Sequence, residues 1–269
     1  ILFIFLFYHT ISSWGSSIDT LWVMSKKMHT KIPNLVILPD SYLSSSKHYP
    51  TVYILHGAGD NYKTWLEKVP KLKKYADDFQ MVLICPDGGK TSWYLDSPMD
   101  KSSQYETYIS HELIEFVDRK YRTLKEKGQR AITGASMGGH GAMYLGLKHS
   151  DIWGAAGSIS GGLDIRPFPN NWDLPKHLGK SNEYPENWEN NTAINLIKYW
   201  DGTLKIIFDC GTEDFFFEVN QKFHKKLKNK DIPHVFKKRS GKHDWEYRRK
   251  SIQNHLNFFH DFFSRKQKP

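Results

Sequence analysis

The chain contains few cysteines, and it carries neither an HExxH sequence nor a CxxC pair. Only two cysteines, Cys85 and Cys210, occur among 269 residues, which excludes a small scaffold stabilised by disulfides. Each follows an apolar, strand-like run, so we expect two buried free thiols and no disulfide. Because the spacings typical of zinc sites are missing, we predict no metal ion, and nothing in the sequence indicates another cofactor.

The apolar run at residues 1–7 is too short to span a bilayer, so no stable membrane insertion is expected. Small and polar residues follow it as far as residue 17, as in the hydrophobic region and cleavage zone of a secretory signal peptide. We therefore expect residues 1–17 to be the remnant of a signal peptide and the protein to be secreted or periplasmic. An ordinary buried N-terminal strand is the alternative interpretation of this run.

Acidic residues are in the minority, with 29 Asp and Glu against 38 Lys and Arg and a formal net charge of +9. The basic residues are scattered, and only short runs such as residues 237–239 and 248–250 concentrate them. No nucleic-acid-binding module accompanies these runs, so we predict a solvated basic surface and no nucleic-acid partner. The hydrophobic content of 39% excludes a disordered chain. The sequence makes no prediction of oligomeric state.

Apolar runs alternate with segments of helical periodicity along most of the chain. Two β-rich runs, residues 20–24 and 34–38, come first and predict an antiparallel hairpin. The later apolar runs, separated by helices, predict a mostly parallel central sheet with helices on both faces. Residues 163–200 break this alternation with prolines, asparagines and tryptophans, and they predict a cap or loop insertion. Residues 18–269 are therefore interpreted as a single α/β domain.

The sequence Gly134-x-Ser136-x-Gly138 stands between an apolar strand and a helix. A strand that reverses sharply into a helix needs neighbours with almost no side chain, and the glycines meet that need. The serine hydroxyl then projects above the sheet, and the N–H of Met137 at the helix start points to where an oxyanion would form. This context predicts a nucleophilic serine, with a glycine-rich packing turn as the alternative.

A nucleophilic serine needs a base and an acid that orients the base. Asp214 and His243 follow Ser136 in the order that an α/β-hydrolase requires, and each comes just after an apolar run that ends a predicted strand. We therefore predict that they lie at the same edge of the sheet as the serine. Glu213 is the main alternative to Asp214 as the acid.

A second oxyanion donor is expected from the loop at residues 55–61, after the first central strand. Small residues there let backbone N–H groups approach a substrate. We predict the N–H of Ala58, with Gly57 as the alternative, and Met137 N–H as the partner donor. A dinucleotide-binding loop is rejected because Tyr62 stands where the third glycine of that motif is required.

Several longer motifs together resemble one family of α/β-hydrolases: YILHGAGDNYKTW, LICPDGG, SWYLDSP, TGASMGGHGAMYLGLKHSDIWGAAGSISGG, CGTEDFF and GKHDWEYR. This esterase family includes S-formylglutathione hydrolases (esterase D), mycolyltransferases, and the feruloyl and acetylxylan esterases of carbohydrate esterase family one. The resemblance runs over residues 20–262. It implies a serine esterase with Ser136 as nucleophile, His243 as base and Asp214 as acid, and with the N–H groups of Ala58 and Met137 as the oxyanion hole.

Aromatic residues in the predicted loops suggest a cleft for a sugar or an aryl group, because their rings offer flat apolar faces. The candidate substrate-binding residues are Gly57, Trp93, Tyr94, His140 and Trp172. Packing of the loops themselves is the alternative for the aromatic side chains.

These features lead us to expect a secreted esterase that removes acetyl or feruloyl groups from a plant polysaccharide such as xylan. The alternatives are an S-formylglutathione hydrolase-like or short-chain esterase, and an acyltransferase of the mycolyltransferase type.

Overall fold

A computed structural model describes residues 17–265, so the leader predicted at residues 1–17 lies outside the described residues except for its last residue. Eight strands form one sheet in the order β1-β2-β4-β3-β5-β6-β7-β8. Their bounds are β1 (Ile18–Ser25), β2 (Thr30–Ile37), β3 (Thr51–Leu55), β4 (Val82–Pro86), β5 (Arg130–Gly134), β6 (Ala155–Ile159), β7 (Lys205–Gly211) and β8 (His234–Arg239).

Helices connect and cover these strands. They are α1 (Ser41–Ser44), α2 (Thr64–Lys68), α3 (Leu72–Asp78), α4 (Tyr105–Thr107), α5 (Leu113–Lys120), α6 (Met137–Lys148), α7 (Leu174–Leu178), α8 (Pro185–Asn190), α9 (Ala193–Leu196), α10 (Phe217–Lys228) and α11 (Trp245–Arg265). A π-helical turn at Tyr108–Glu112 joins α4 to α5. No helix in the stretch from residue 17 to residue 265 has both the length and the apolar character needed to cross a bilayer.

The predicted hairpin and parallel sheet are confirmed. β1 and β2 pair antiparallel with Ile18 opposite Ile37, and β2 continues antiparallel onto β4. From β4 through β8, every neighbouring pair is parallel. Connections between parallel strands require crossovers, and the helices supply them. This is the α/β-hydrolase arrangement that the sequence predicted.

The central strands separate two hydrophobic cores because successive side chains point to opposite faces of a sheet. On β3, Val52 and Ile54 pack into one core, while Tyr53 and Leu55 pack into the other. Buried stripes of α3 and α11 close the first core, and those of α5, α6 and α10 close the second. Each fully buried aliphatic or aromatic side chain contributes about 1.5–3 kcal/mol, so these stripes fix the helices on both faces.

Cys85 lies on β4 and Cys210 on β7, with β3, β5 and β6 between them in the sheet. Both are buried free thiols, as predicted. The same strand order sets β5 at the centre of the parallel part of the sheet. The carboxyl ends of β3, β5, β7 and β8 therefore face one edge, where loops from distant parts of the sequence meet.

The segment between β6 and β7 contains the short helices α7, α8 and α9. It is joined to helix α6, which directly follows Ser136, by polar contacts with Asn191. The His140 Nε2 atom lies 3.0 Å from the Asn191 carbonyl oxygen, and the Tyr144 hydroxyl donates to Asn191 Oδ1 at 3.0 Å. The indole N–H of Trp188 donates to the carbonyl of Gly179, which folds the segment back on itself. These contacts fix the segment on α6.

Candidate active site

Ser136 occupies the sharp turn between β5 and α6, with φ +59° and ψ −118°. Residues other than glycine rarely adopt a positive φ, so contacts with the surrounding structure must hold this turn. A Cβ atom on Gly134 would come within 2.5 Å of the Gly138 carbonyl oxygen, and one on Gly138 would overlap the carbonyl of Leu55. The two flanking glycines are therefore required by the close approach of backbone on both sides of the serine.

A chain of hydrogen bonds joins the three side chains that the sequence singled out. The Oγ atom of Ser136 lies 2.9 Å from Nε2 of His243, and Nδ1 of His243 lies 2.8 Å from Oδ2 of Asp214. A carboxylate accepts hydrogen bonds only, so the proton of the neutral ring sits on Nδ1. Nε2 is then free to accept the serine proton. The structure thus brings together a hydroxyl, an imidazole base and an orienting acid.

Asp214, rather than Glu213, faces the imidazole. The carboxylate of Asp214 is fully buried, and its other oxygen accepts the backbone N–H of Phe216 at 2.8 Å. Glu213 is exposed instead, and it accepts a hydrogen bond from the Ser240 hydroxyl at 2.8 Å. The turn after β7 therefore fixes which of the two neighbouring acids reaches His243.

Among the backbone N–H groups at the mouth of the site that have no acceptor within residues 17–265 are the two predicted oxyanion donors. They belong to Ala58, in the loop after β3, and to Met137, at the start of α6. A Cβ atom built on Gly57 would lie 3.5 Å from Cβ of Ser136, so this loop passes directly beside the serine. Unpaired N–H donors near a helix start favour an anionic oxygen at that point.

Three of the predicted substrate-binding side chains fill the interior beneath the site. Trp93 is 1% exposed, and Tyr94 and His140 are fully buried. The Trp93 ring packs edge-on against His140, and the Tyr94 hydroxyl donates to the carbonyl of His56. Burial lowers the pKa of His140 to about 4. In this structure these side chains offer no surface to a substrate, and their contacts are those of loop packing.

Trp172, by contrast, is only half-buried and belongs to an aromatic cluster beside the imidazole. Its ring stacks on Phe215 at 5.7 Å between centroids, and Phe215 in turn lies 4.2 Å from the ring of His243. Phe216 and Phe168 support the cluster from behind. Phe215 is 52% exposed, so an apolar face adjoins the triad.

Sequence reasoning missed two residues that contact this site. Phe215 directly follows the acid, and the paired phenylalanines of CGTEDFF were the only signal of it. His56 directly precedes Gly57, and both of its ring nitrogens hold backbone groups of the surrounding loops. A histidine between a buried strand and the glycine of a predicted oxyanion loop was the available signal. In the part of the chain that the structure describes, no cluster of three or more His, Cys, Asp or Glu side chains is placed to hold a metal ion.

The parallel sheet and the nucleophile turn together define an α/β-hydrolase. Residues 25–259 match the model of the family described as "Putative esterase". An acetyl esterase of Caldicellulosiruptor saccharolyticus is 27% identical over 228 residues, which cover 78% of this chain and 82% of the relative.

Solved structures show the same architecture. A ferulic acid esterase superposes with a TM-score of 0.81 and 28% identity, covering 93% of this chain and 100% of that structure. An S-formylglutathione hydrolase from Agrobacterium tumefaciens superposes with a TM-score of 0.80 at 21% identity, covering 94% of this chain and 97% of that structure. The chain belongs to this esterase family and is a serine esterase.

Proposed function

We propose that the protein hydrolyses acyl esters through an acyl-enzyme formed on Ser136. As the serine Oγ attacks the ester carbonyl carbon, Nε2 of His243 takes the hydroxyl proton. The buried carboxylate of Asp214 holds the ring in the required tautomer and stabilises the imidazolium. The hydrogen-bonded chain from serine to imidazole to carboxylate is the observation that carries this proposal.

The N–H groups of Ala58 and Met137 donate hydrogen bonds to the carbonyl oxygen as it gains negative charge. Both are free of other acceptors within residues 17–265, so no internal bond must break before they bind the oxyanion. When the tetrahedral adduct of serine and ester breaks down to the acyl-enzyme, the proton on His243 passes to the departing alcohol oxygen. Water then attacks the acyl-enzyme with His243 again acting as base. The carboxylic acid is released and the free serine is regenerated.

We propose that the natural substrate is an acetyl or feruloyl ester on a plant polysaccharide such as xylan, and that the protein is secreted or periplasmic. The exposed ring of Phe215 beside Trp172 supports an aromatic acyl group, because such a group stacks favourably on these rings. Relatives described as an acetyl esterase and a ferulic acid esterase support the same class of ester. The apolar run at residues 1–7 supports export.

The test is the release of acids from acetylated, feruloylated arabinoxylan, measured by mass spectrometry. Wild-type enzyme and Ser136→Ala are compared, and Ser264→Ala, which changes an exposed serine near the end of α11, is the matched control. We expect acetate or ferulate with the wild type and the control, and at least a 10³-fold slower release with Ser136→Ala, on the order of what triad removal costs in other serine hydrolases.

Two further results would contradict parts of the proposal. Release by Ser136→Ala at the wild-type rate would contradict the assignment of the nucleophile. Hydrolysis of simple aryl and acetyl esters without release from the polysaccharide would contradict the polysaccharide substrate. Addition of a sugar alcohol as acceptor separates hydrolysis from acyl transfer, and we expect free acid rather than a sugar ester to remain the main product.

A further inference from the structure

His56 stands directly before the loop that carries the Ala58 N–H, and its side chain is 1% exposed. Its Nδ1 atom lies 2.9 Å from the carbonyl oxygen of Gly57, and its Nε2 atom receives the backbone N–H of Gly88 at 2.8 Å. A carbonyl oxygen only accepts and a backbone N–H only donates, so the ring proton must sit on Nδ1. The neutral ring thus satisfies both contacts, and burial lowers the pKa of His56, which favours the neutral form.

The Gly57 carbonyl receives a second hydrogen bond, from the backbone N–H of Asp60 at 3.2 Å. Two donors therefore fix the direction of this carbonyl. The peptide bond between Gly57 and Ala58 is trans, so the Ala58 N–H points opposite to the Gly57 oxygen. The carbonyl is held toward His56 and Asp60, and the N–H is left free beside Ser136.

We propose that His56 is a positioning residue that aims the Ala58 N–H at the reacting carbonyl oxygen of the substrate. The inference rests on the proposed ester hydrolysis and adds to it a residue that never touches the substrate. If the peptide rotated about its neighbours, the Gly57 oxygen would turn toward the site. The developing oxyanion would then meet a carbonyl oxygen instead of a donor.

The loop after β4 braces this arrangement from outside. The Tyr94 hydroxyl donates to the His56 carbonyl at 3.1 Å, and the two rings meet edge to face at 5.9 Å. The Gly59 N–H donates to the Lys90 carbonyl at 2.8 Å. The Gly88 and Tyr94 contacts hold the ring and the backbone of His56, and the Gly59 bond holds the loop itself. The buried Tyr94 therefore has a defined role in the site.

A different role for His56 would be only to anchor the loop at Gly88. Two amide substitutions separate the roles, because each keeps one of the two hydrogen bonds that the imidazole ring makes. In His56→Asn the side-chain amide occupies the position of Nδ1 and still donates toward Gly57. In His56→Gln the amide oxygen reaches the position of Nε2 and still accepts from Gly88, while the donor to Gly57 is lost.

The experiment measures kcat and KM for an oxygen ester and for the matching thiono ester, in which sulfur replaces the carbonyl oxygen. Sulfur is a weaker and larger acceptor, so a correctly aimed oxyanion hole prefers the oxygen ester. For His56→Gln we expect kcat on the oxygen ester to fall about 10- to 100-fold with KM changed by less than about threefold, and the oxygen preference to shrink. His56→Asn should retain kcat within about fivefold of the wild type, with the preference kept.

Tyr94→Phe provides a milder perturbation, since it removes a single hydroxyl from the brace, and its oxygen preference should shrink about two- to fivefold. An equal loss of kcat in His56→Asn and His56→Gln, or a larger loss in His56→Asn, would overturn the proposal in favour of simple anchoring. An unchanged oxygen preference in both His56→Gln and Tyr94→Phe would also overturn it. Absence of any ester turnover by the wild type would instead contradict the proposed function, so the two failures are distinguishable.

Discussion

The ring of Phe215 lies against the ring of His243, with their centroids 4.2 Å apart and their planes inclined by 38°. The residue that follows the acid in sequence therefore covers the base in space. This contact restricts rotation of the imidazole, and the exposed remainder of the phenyl ring forms a wall of the site. One side chain thus acts on both the base and the surface that meets the substrate.

Truncation of this wall should change which esters are preferred. For Phe215→Ala we expect kcat/KM on feruloyl esters to fall about tenfold, because a lost aromatic stack is worth about 0.5–1.5 kcal/mol beyond the buried area. On acetyl esters the fall should be about threefold or less. Phe215→Tyr keeps the stack and is the matched control. Equal losses on both esters in Phe215→Ala would contradict a role in recognising the acyl group.

Replacement of the acid should separate Asp214 from its neighbour. In Asp214→Asn the amide can donate to Nδ1, which stabilises the wrong tautomer of His243, and kcat should fall about 10⁴-fold. Glu213→Gln should leave kcat within about twofold of the wild type, since that carboxylate contacts Ser240 at the surface. Steady-state kinetics on a chromogenic ester checks both. A large loss in Glu213→Gln alone would reverse the assignment.

The fold should lose stability in acid through Glu106. Burial alone would raise the pKa of the Glu106 carboxyl. Hydrogen bonds from His149, Tyr144 and Lys148 outweigh this effect and lower the pKa of Glu106 from 4.5 to about 2. A lowered folded pKa stabilises the fold above the unfolded value, and this contribution disappears as pH falls from about 4.5 to about 2. At neutral pH the free energy of unfolding therefore gains up to about 3 kcal/mol.

Urea unfolding of the wild type and Glu106→Gln at several pH values measures this contribution. The variant should be less stable at pH 7, and the difference between the two proteins should shrink toward pH 3. Glu115→Gln, which changes an exposed glutamate paired with Arg119, is the control and should lie close to the wild type throughout. A Glu106→Gln difference that stays constant from pH 7 to pH 3 would refute the linkage.

The native enzyme should resist thiol reagents. Burial raises the pKa of the Cys85 thiol to about 12 and also raises that of Cys210. Thiols protonated and buried in this way react slowly with iodoacetamide at neutral pH. We expect full esterase activity after treatment and alkylation of both cysteines only after denaturation, as measured by mass spectrometry. Rapid loss of activity with labelling of the native protein would contradict this expectation.

The sequence predicted the sheet because buried parallel strands consist of short apolar runs. It predicted the turn at Ser136 because a strand that reverses sharply into a helix requires residues without side chains on both sides of the serine. Placement within loops was harder. Trp93 and Tyr94 were predicted to face a substrate, yet both are buried and have positive φ values of 56° and 60°. These backbone conformations turn the two rings inward, and no local sequence pattern predicts the positive φ values.

The selection between Glu213 and Asp214 likewise depended on the backbone after β7. Adjacent residues in a turn point in different directions, and the hydrogen bonds to Asp214 from Phe216 N–H and to Glu213 from Ser240 fix which acid reaches the imidazole. His56 and Phe215 were missed for a related reason. Their roles arise from contacts with loops that lie 32 and 28 residues away in sequence, at Gly88 and His243, and such contacts have no periodic signature.

The position of β8 bears on how the enzyme fails when heated. Ser136 follows the central strand β5, whereas His243 follows β8, an edge strand whose residues are all half-buried or exposed. Edge elements with little buried surface open at lower free energy than the centre of a sheet. Local opening at β8 would withdraw the imidazole while the serine turn stays folded. Thermal inactivation should therefore set in reversibly below the temperature at which the whole sheet melts, with catalysis as the first property lost.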